Sequence, residues 1–236
     1  MSKVLILSGA GISAESGIST FRESNGLWEN HRIEEVCSAG CLDSNGEATR
    51  AFYDARRADI EDKEPNYAHQ VIVELKHKYP NDITVHTQNV DDLFEKAGIQ
   101  ENEIVHLHGF LRELRCRACD EIFNIGYQPQ NEFKDAQCPS CGGELRPNIV
   151  FFGEPAPEYA KLTQALNECE LIVIIGTSGN VLDVTYFAQL TQESILNNLE
   201  PSEAIDDSYF TKVYYAKATE AIADIAEYIE NFLSNR

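Results

Sequence analysis

Four of the seven cysteines occur as two Cys-x-x-Cys pairs. The first pair is Cys116 and Cys119, and the second is Cys138 and Cys141. Two such pairs at this separation are typical of a zinc ribbon, in which four thiolates hold one tetrahedral ion. Four cysteine ligands leave no position for water or substrate, so we expect a structural zinc and not a catalytic one. The alternative, disulfides or reactive thiol pairs, is disfavoured in a reducing compartment.

A glycine-rich segment follows the first apolar run of the chain, Val4 to Leu7. Gly9, Gly11 and Ala14 fit the loose Gly-x-Gly-x-x-Gly/Ala pattern of dinucleotide sites. Glycines allow the backbone to approach a pyrophosphate closely and to point N–H groups at it, and Arg22 could add a cation. A glycine-rich turn with no ligand fits the same pattern, so the pattern alone leaves both interpretations open.

Two histidines stand close together in the segment from Ile104 to His108, which we predict to be a strand. An imidazole has a pKa near neutrality and suits a general base, so His108 could carry a proton transfer. A single histidine in a strand is also commonly structural. We take His106, predicted to lie on the same face of the strand, as an example of a structural histidine.

Tyr53 and Arg56 are three residues apart in the segment from Ala51 to Arg57, which we predict to be helical. That spacing places both side chains on one face of a helix. A guanidinium fork and a phenol hydroxyl could together bind a carboxylate. The alternative is an aromatic core residue beside a solvated arginine. We expect Arg57 to lie at the surface.

Taken in chain order, these segments resemble the sirtuin family. The resemblance is carried by Gly9 to Arg22, Thr87 to Asp91, His108-Gly109, the four paired cysteines, Gly153-Glu154 and Gly176 to Ser178. It spans nearly the whole chain. It implies an NAD-dependent protein-lysine deacylase, with a Rossmann-like NAD domain, a zinc module and an acyl-lysine site between them.

The resemblance also implies a role for each matching residue. The loop that would hold the phosphates contains Gly9, Ala10, Gly11, Ser13 and Arg22, with Phe21 on the nicotinamide side. The nicotinamide and its ribose would contact Gln88, Asn89 and Asp91. The adenosine half would contact Gly176, Thr177, Ser178, Asn198, Leu199, Glu200 and Ala218. In the family's mechanism the amide oxygen of the substrate attacks the ribose carbon as nicotinamide leaves. A ribose hydroxyl must lose a proton, which is the task implied for His108, with Asn89 and Asp91 beside it.

The acyl group is implied by a subgroup of the same family. Tyr53 and Arg56 resemble the Tyr-x-x-Arg pair of sirtuins that remove succinyl, malonyl and glutaryl groups, and acetyl groups are expected as well. Ala14 and Thr20 also match that subgroup, and Ala14 would leave room for a long acyl chain. The segment Phe152, Gly153 and Glu154 resembles the substrate-binding segment, where an extended peptide pairs with an exposed backbone edge. An ordinary buried strand end is the alternative there.

Three departures from the family pattern concern the loops. Ser19 stands where proline is usual, which would make the first loop more flexible. Leu182 to Thr185 replaces a Tyr-Pro-Ala-Ala-like run, and Ala216-Lys217-Ala218 replaces Gly-Pro-Ala. The run from Leu182 to Thr185 lies where the family's adenosine and peptide contacts are expected.

The elements that must position these residues are predicted from apolar periodicity. Short apolar runs alternate with helical spacing, which predicts an α/β fold with a Rossmann-like parallel sheet and helices on both faces. The runs are Val4 to Leu7, Ile83 to Val85, Ile149 to Phe152, Leu171 to Ile175 and Val213 to Tyr215. The segment from Thr219 to Leu233 predicts a closing helix with Ile222, Ile225, Ala226, Ile229 and Phe232 on one face.

Two domains are predicted. Residues 1–115 and 142–236 would form the NAD-binding domain, with a small helical part of the cofactor and substrate site at about residues 23–80. Residues 116–141 would form an inserted zinc-ribbon module, whose core is too small to be stable without a metal. The unpaired Cys37, Cys41 and Cys169 are expected to be small core or surface residues.

Composition excludes several partners. The chain has 39 acidic and 19 basic residues and a net charge of −20, which opposes binding to nucleic acid or to an anionic membrane. The apolar opening is too short for a signal sequence or a membrane span, so a cytoplasmic location is expected. A monomer that acts on acyl-lysine proteins or peptides is the expected state.

Two rival functions use the same motifs. An NAD glycohydrolase or ADP-ribosyltransferase would cleave the same bond and pass the ribose to water or to a protein, and the Tyr53 and Arg56 pair argues against it. A non-catalytic NAD sensor or zinc-ribbon adaptor would not need His108, Asn89 and Asp91 together.

Overall fold

The computed structural model describes residues 3–19 and 31–235 and the pair 27–28, with the backbone alone at 27–28 and 31–34. Thr20, Phe21 and Arg22, to which the resemblance assigned loop and cofactor contacts, lie outside the described residues. The strands are β1 (Val4–Ser8), β2 (Leu27–Trp28), β3 (His31–Arg32), β4 (Ile83–Thr87), β5 (Ile104–His106), β6 (Gly109–Cys116), β7 (Ile122–Asn124), β8 (Leu145–Ile149), β9 (Leu171–Ile175), β10 (Glu193–Asn198) and β11 (Lys212–Tyr215). The α-helices are α1 (Ile33–Val36), α2 (Cys41–Ser44), α3 (Gly46–Asp59), α4 (Tyr67–Lys78), α5 (Leu93–Lys96), α6 (Tyr159–Glu168), α7 (Val184–Leu190) and α8 (Ala218–Ser234).

Six strands form one parallel sheet in the order β11-β10-β9-β1-β4-β5. The chain runs from β1 to β4 and β5 on one side and later continues from β9 on the other side. The order therefore reverses between β1 and β9, and open α/β sheets bind ligands at the carboxyl ends of the strands at such a point. The predicted Rossmann-like sheet is confirmed.

The central strands β1 and β9 are buried on both faces, as their unbroken apolar sequences predict. Alternate residues of β1 point to opposite sides of the sheet. Val4 and Ile6 pack in a core with helices α4 and α8, while Leu5 and Leu7 pack in a second core with α6 and α7. The helices therefore cover both faces of the sheet.

The closing helix is confirmed as α8, which begins one residue before the predicted segment and ends one residue after it. Its buried side chains recur at helical spacing and fill the first core. They are Ala218, Ala221, Ile222, Ile225, Ile229 and Phe232.

Strands β7, β6 and β8 form a separate antiparallel sheet of three strands. It extends from Gly109 to Ile149 and is wider than the predicted 116–141 segment. The predicted strand from Ile149 to Phe152 is wrong as a member of the parallel sheet, because Ile149 ends β8 and pairs with Gly109. Apolar residues mark this segment as buried without showing which sheet it joins. The core of the small sheet contains Leu114, Cys116, Ile125, Cys138 and Leu145.

Helix α3, predicted from Ala51 to Arg57, extends over Gly46–Asp59. It contacts strand β6 of the small sheet through Arg57. The expectation that Arg57 lies at the surface is wrong, since its side chain is fully buried. Its Nε donates to the Leu111 carbonyl at 2.7 Å, and its Nη1 donates to Asp54 at 2.6 Å. Helical spacing alone could not show this, because the acceptor at Leu111 belongs to β6.

No helix in residues 3–19 and 31–235 is long and apolar enough to cross a lipid bilayer.

Replacing Arg57 by methionine should lower the free energy of unfolding by about 3 kcal/mol, since it leaves a carboxylate and a carbonyl without their buried partner. Arg50→Met on the same helix is the matched control. Arg50 pairs with Glu144 where both side chains are substantially exposed, and its loss should cost about 0.5 kcal/mol. Urea denaturation of zinc-loaded protein measures both values. Equal losses for the two variants would contradict a structural role for Arg57.

Candidate functional site

The loops after β1 and β9 touch through their backbones at the carboxyl edge of the sheet. A Cβ added to Gly11 would lie 2.7 Å from the Cα of Gly176, and one added to Gly9 would lie 2.8 Å from the Gly176 carbonyl oxygen. Gly176 itself has a φ of +68°, which disfavours other residues. The glycines are therefore required by the close approach of these two loops, whatever ligand lies beside them.

The hydroxyl of Ser13 joins three segments beneath the loop after β1. The Ser13 Oγ donates to the Asp91 carboxylate at 3.0 Å and accepts from the Asn89 Nδ2 at 3.0 Å. The His69 Nε2 on α4 lies 3.4 Å away. Ser13 is fully buried, so its hydroxyl orients Asn89 and Asp91 from within the protein.

The protonation of this cluster follows from burial. Burial raises the pKa of Asp91, while hydrogen bonds from the Leu93 N–H and the Ser13 hydroxyl partly offset that effect. Burial lowers the pKa of His69 to about 3, so its imidazole is neutral. With the Ser13 hydrogen given to Asp91, the His69 Nε2 must be the donor to Ser13. The Ser13 hydroxyl therefore uses its hydrogen and both lone pairs within this cluster, while the buried Nδ1 of His69 has no hydrogen-bond partner among the described residues.

His108 lies just past the end of β5 and is held at both ring nitrogens. Its Nδ1 is 3.0 Å from the carbonyl oxygen of Gln88, and its Nε2 is 2.8 Å from the hydroxyl of Tyr159 on α6. A carbonyl only accepts, so Nδ1 carries the hydrogen and Nε2 has the lone pair. Burial lowers the pKa of His108, which favours the neutral imidazole that a general base requires.

His106 differs from His108 in both position and charge. The strand ends at His106, and Leu107 and His108 form a turn, so the expectation of one shared strand face is wrong. The His106 Nε2 lies 2.8 Å from the Glu95 carboxylate, and its Nδ1 lies 2.9 Å from the Asn89 carbonyl. Burial opposes the charge on His106, but the contacts with Glu95 outweigh it and raise the pKa. This geometry fits the structural role expected for His106.

The residues assigned to the adenosine half gather around Thr177, after β9. The Gln88 side chain donates to the Thr177 hydroxyl at 3.1 Å, and the buried Asn198 side chain donates to the Thr177 carbonyl at 2.9 Å. Ser178 accepts at its carbonyl from Ser202 at 2.6 Å. The remaining members are Leu199 and Glu200, which are exposed after β10, and Ala218, which is buried at the start of α8.

Tyr53 and Arg56 are both buried on one face of α3, as their spacing predicts. The Tyr53 hydroxyl lies 3.4 Å from the Sγ of Cys37, and the charge of Arg56 helps to lower the pKa of that thiol against the stronger effect of burial. The Tyr53 ring stacks on Phe151 with centroids 5.5 Å apart. The Tyr53 hydroxyl thus contacts Cys37, and Arg56 is buried, so it is not the solvated arginine of the alternative interpretation.

The segment from Phe151 to Glu154 is folded back on itself. The N–H and carbonyl of Phe152 bond to the Cys37 carbonyl and the Ala39 N–H, so this residue does not present an open backbone edge. The Glu154 carboxylate makes two hydrogen bonds with Arg146, at 2.7 and 2.9 Å. The Phe152 side chain is 48% exposed, and it is this side chain, not the Phe152 backbone, that is available to a partner.

The four paired cysteines converge at one end of the small sheet. Their sulfur atoms all lie within 4.8 Å of one another, with Cys116 and Cys141 at 3.5 Å and Cys119 and Cys138 at 3.7 Å. Four sulfurs bound to one tetrahedral zinc lie about 3.8 Å apart. The cluster therefore fits one structural zinc ion.

One departure from the family pattern has a clear local outcome. Leu182 and Val184 are buried, and the Asp183 carboxylate accepts from the Tyr186 N–H at 2.9 Å. Asp183 is thus the N-cap of α7, so the replaced run still begins a helix.

Sequence reasoning missed three residues of the site, namely His69, Cys37 and Tyr159. Each reaches its partner from a distant part of the chain or across a loop, so spacing gave no signal. Tyr159 is 51 residues from His108 in the chain, for example. Only the polar character of His69 within an otherwise apolar helical pattern could have marked it.

The fold and the site define a class: a Rossmann-like α/β protein with an inserted four-cysteine module. The profile described as "Sir2 family" matches residues 9–183. The chain belongs to the Sir2, or sirtuin, family, which confirms the resemblance found in the sequence.

Similar proteins cover the chain along almost all of its length. An "NAD-dependent protein deacylase" from Campylobacter jejuni is 48% identical over 236 residues, covering 100% of this chain and 99% of its own length. The protein of the same description from Escherichia coli K12 is 35% identical over 231 residues, covering 95% of this chain and 81% of its own. A solved structure of a Sir2 homologue in complex with NAD has a TM-score of 0.83 and 30% identity, covering 98% of this chain and 91% of its own.

Cys138→Ser should abolish zinc binding and unfold the small sheet, since four thiolates are needed to close the site. Cys169→Ser is the matched control, because Cys169 is buried in another core and is no member of the cluster. Metal analysis of the purified proteins and limited proteolysis of residues 117–144 measure the two effects. Retention of a full zinc ion by Cys138→Ser would contradict the assignment.

Proposed function

We propose that this protein is an NAD-dependent protein-lysine deacylase that removes succinyl, malonyl and glutaryl groups, and acetyl groups as well. Its products are nicotinamide, O-acyl-ADP-ribose and the free lysine. The observation that carries the acyl preference is the burial of Tyr53 and Arg56 together on one face of α3.

The residues at the carboxyl edge of the sheet between β1 and β9, where the strand order reverses, fit NAD. The β1 and β9 loops meet without side chains at Gly11 and Gly176, where backbone can come close to a pyrophosphate. Asn89 and Asp91 are fixed by Ser13 beside this point, and Gln88 links the same loop to Thr177. When bound, NAD supplies the ribose carbon that takes the acyl oxygen as nicotinamide leaves. The residues that would hold the two halves of the cofactor follow β4 on one side of β1 and β9 and β10 on the other.

His108 is suited to remove a proton from a ribose hydroxyl. Its Nδ1 hydrogen is committed to the Gln88 carbonyl, so the proton is accepted at Nε2. Since burial lowers the pKa of His108, the lone pair at Nε2 is free of a proton at neutral pH. Holding Gln88 in place thus also holds the base in its tautomer.

The acyl site is linked to His108 through a short segment. The Val150 N–H bonds the His108 carbonyl at 2.9 Å, and the next residue, Phe151, stacks on Tyr53. A carboxylate taken from water into a buried site needs a cation and hydrogen-bond donors. Arg56 supplies the cation and Tyr53 a hydroxyl, and burial keeps the phenol protonated by raising its pKa. An acetyl group would make no use of either.

The rival functions use fewer of these features. A glycohydrolase or ADP-ribosyltransferase needs the NAD residues but has no use for a buried Tyr53 and Arg56 pair. A non-catalytic sensor or adaptor has no use for an imidazole whose tautomer is fixed by the Gln88 carbonyl. The deacylase is therefore the function that employs all of the site.

The partners we propose are acyl-lysine proteins or peptides, met by a monomer in the cytoplasm. The net charge of −20 favours lysine-rich protein surfaces over nucleic acid or anionic lipid. Acylation of lysine removes its charge, so neighbouring lysines of the substrate would supply the attraction.

His108→Tyr should lower kcat by about 100-fold or more on every acyl peptide, because the proton acceptor is lost. His77→Tyr is the matched control, since His77 is half-exposed on α4 and lies outside the site. Nicotinamide release and metal content are measured on the same preparations. Undiminished turnover by zinc-loaded His108→Tyr would exclude His108 as the base.

Arg56→Met should lower kcat/KM for a succinyl-lysine peptide by about 10- to 100-fold and for the acetyl peptide by about threefold or less. The succinyl carboxylate loses its cation, whereas the acetyl group never contacted it. Arg50→Met, on the exposed part of the same helix, should change neither value. Equal losses on the two peptides would remove the carboxylate role of Arg56.

The same assay separates the rival reaction. With the unchanged enzyme, nicotinamide release should depend on the acyl peptide. Release at the same rate without any peptide would favour the glycohydrolase.

A further inference from the structure

Tyr159 is the contact of His108 that the sequence pattern did not assign. It is the first residue of α6, and its hydroxyl lies 2.8 Å from the Nε2 of His108. The two rings approach at a centroid distance of 5.8 Å with their planes tilted by 52°. The opposite nitrogen of His108 is committed to the Gln88 carbonyl, so the ring is fixed at both ends.

The direction of the Tyr159 hydrogen bond is determined by the Gln88 carbonyl. Since Nδ1 must donate to that carbonyl, Nε2 of the neutral ring can only accept, and the Tyr159 hydroxyl donates to it. Nε2 is the atom that would take a proton from a ribose hydroxyl. Tyr159 therefore touches the reactive atom of the base in the free protein.

A phenol hydroxyl can also serve as an acceptor. Once Nε2 has received a proton, it carries a hydrogen and can donate to the oxygen of Tyr159, whose own hydrogen rotates away and stays on that oxygen. A hydrogen bond from a charged donor is roughly twice as strong as a neutral one. Tyr159 thus stabilises the imidazolium more than the imidazole.

We propose that Tyr159 is a positioning residue for the base. Its hydroxyl donates to Nε2 of His108 in the free protein, yields that single lone pair to the ribose hydroxyl for the proton transfer, and accepts a hydrogen bond from the protonated Nε2 afterwards. This role rests on the proposed deacylase function, in which His108 is the base. In this role the first residue of α6 helps to hold the imidazole of His108 in place.

Within the part of the chain that the structure describes, no charged side chain forms a hydrogen bond or an ion pair with His108. Gln88 faces it with a carbonyl, and Tyr159 faces it from α6 with a hydroxyl that burial keeps protonated by raising its pKa. Glu158, the N-cap of α6, and Lys161 on α6 pair with each other at 2.6 Å and act on the pKa of His86, not on that of His108. Asp91 is occupied by Ser13 and the Leu93 N–H. Removing the Tyr159 hydroxyl should therefore change the titration of His108 through one contact alone.

The test is Tyr159→Phe, with Tyr209→Phe as the matched control because Tyr209 is about half exposed on the edge of the protein, away from His108. The imidazole of His108 is titrated by NMR in zinc-loaded protein without NAD or peptide, and its signal is identified by its loss in His108→Asn. We expect Tyr159→Phe to lower the pKa of His108 by about 0.5 to 1 unit, since the imidazolium loses its acceptor. Tyr209→Phe should leave the titration unchanged.

Kinetics supply the second measurement. The acid limb of the kcat/KM profile reports ionisation of the free enzyme, so it should move to lower pH by the same amount in Tyr159→Phe. The plateau should fall by about three- to tenfold, because a less basic imidazole is a weaker proton acceptor. In the His108→Asn background, Tyr159→Phe should have no further effect on turnover. A second variant without the hydroxyl, Tyr159→Leu, should repeat the shift.

An unchanged or raised pKa of His108 in Tyr159→Phe and Tyr159→Leu would overturn the proposal, as would a rate that falls equally at every pH. The NMR titration is independent of deacylation. A protein without deacylase activity in which the pKa of His108 still falls would refute the proposed function and support the contact.

Discussion

The site depends on one buried hydroxyl. Ser13 has a single hydrogen to donate and two lone pairs, and its three partners are Asp91, Asn89 and His69. These partners come from the loop after β4 and from α4, so the hydroxyl ties the loop after β1 to both. Buried polar groups are costly unless they are hydrogen-bonded, so the three contacts of Ser13 restrict how its partners can be arranged. The positions of Asn89 and Asp91 follow from that constraint, and the adjacent Gln88 carbonyl in turn orients His108.

The loops after β1 and β9 require glycine for a different reason from the one that the dinucleotide pattern indicates. Gly9 and Gly11 lie against Gly176 so closely that a single Cβ would collide with backbone. Backbone cannot give way as a flexible side chain can, so these positions are glycine for packing first. The same contact brings backbone, with no side chain from Gly11 or Gly176, to the edge where the dinucleotide pattern predicts a pyrophosphate.

Helix α3 shows how neighbouring arginines take separate roles. Arg56 is buried on the same face as Tyr53, whereas Arg57, one residue later and about 100° around the helix, reaches the Leu111 carbonyl and Asp54. Both are buried, at 3% and 0% exposure. A rigid helix that is anchored by one arginine can present the other in a fixed position. The Tyr53 and Arg56 pair and the small sheet are thus joined through α3.

The sequence was sufficient to predict the features that depend only on residues close together in the chain. The Cys-x-x-Cys spacings, the apolar strands β1 and β9 and the stripe of α8 were all predicted, because chain periodicity alone places those side chains. Strand β10 was not predicted, because its apolar run is short and polar Glu193, Asn197 and Asn198 lie at its ends. The pairing of β8, the burial of Arg57 and the contact of Tyr159 with His108 required the tertiary structure. Each depends on an acceptor or a strand contributed from far along the chain, and periodicity carries no information about such partners.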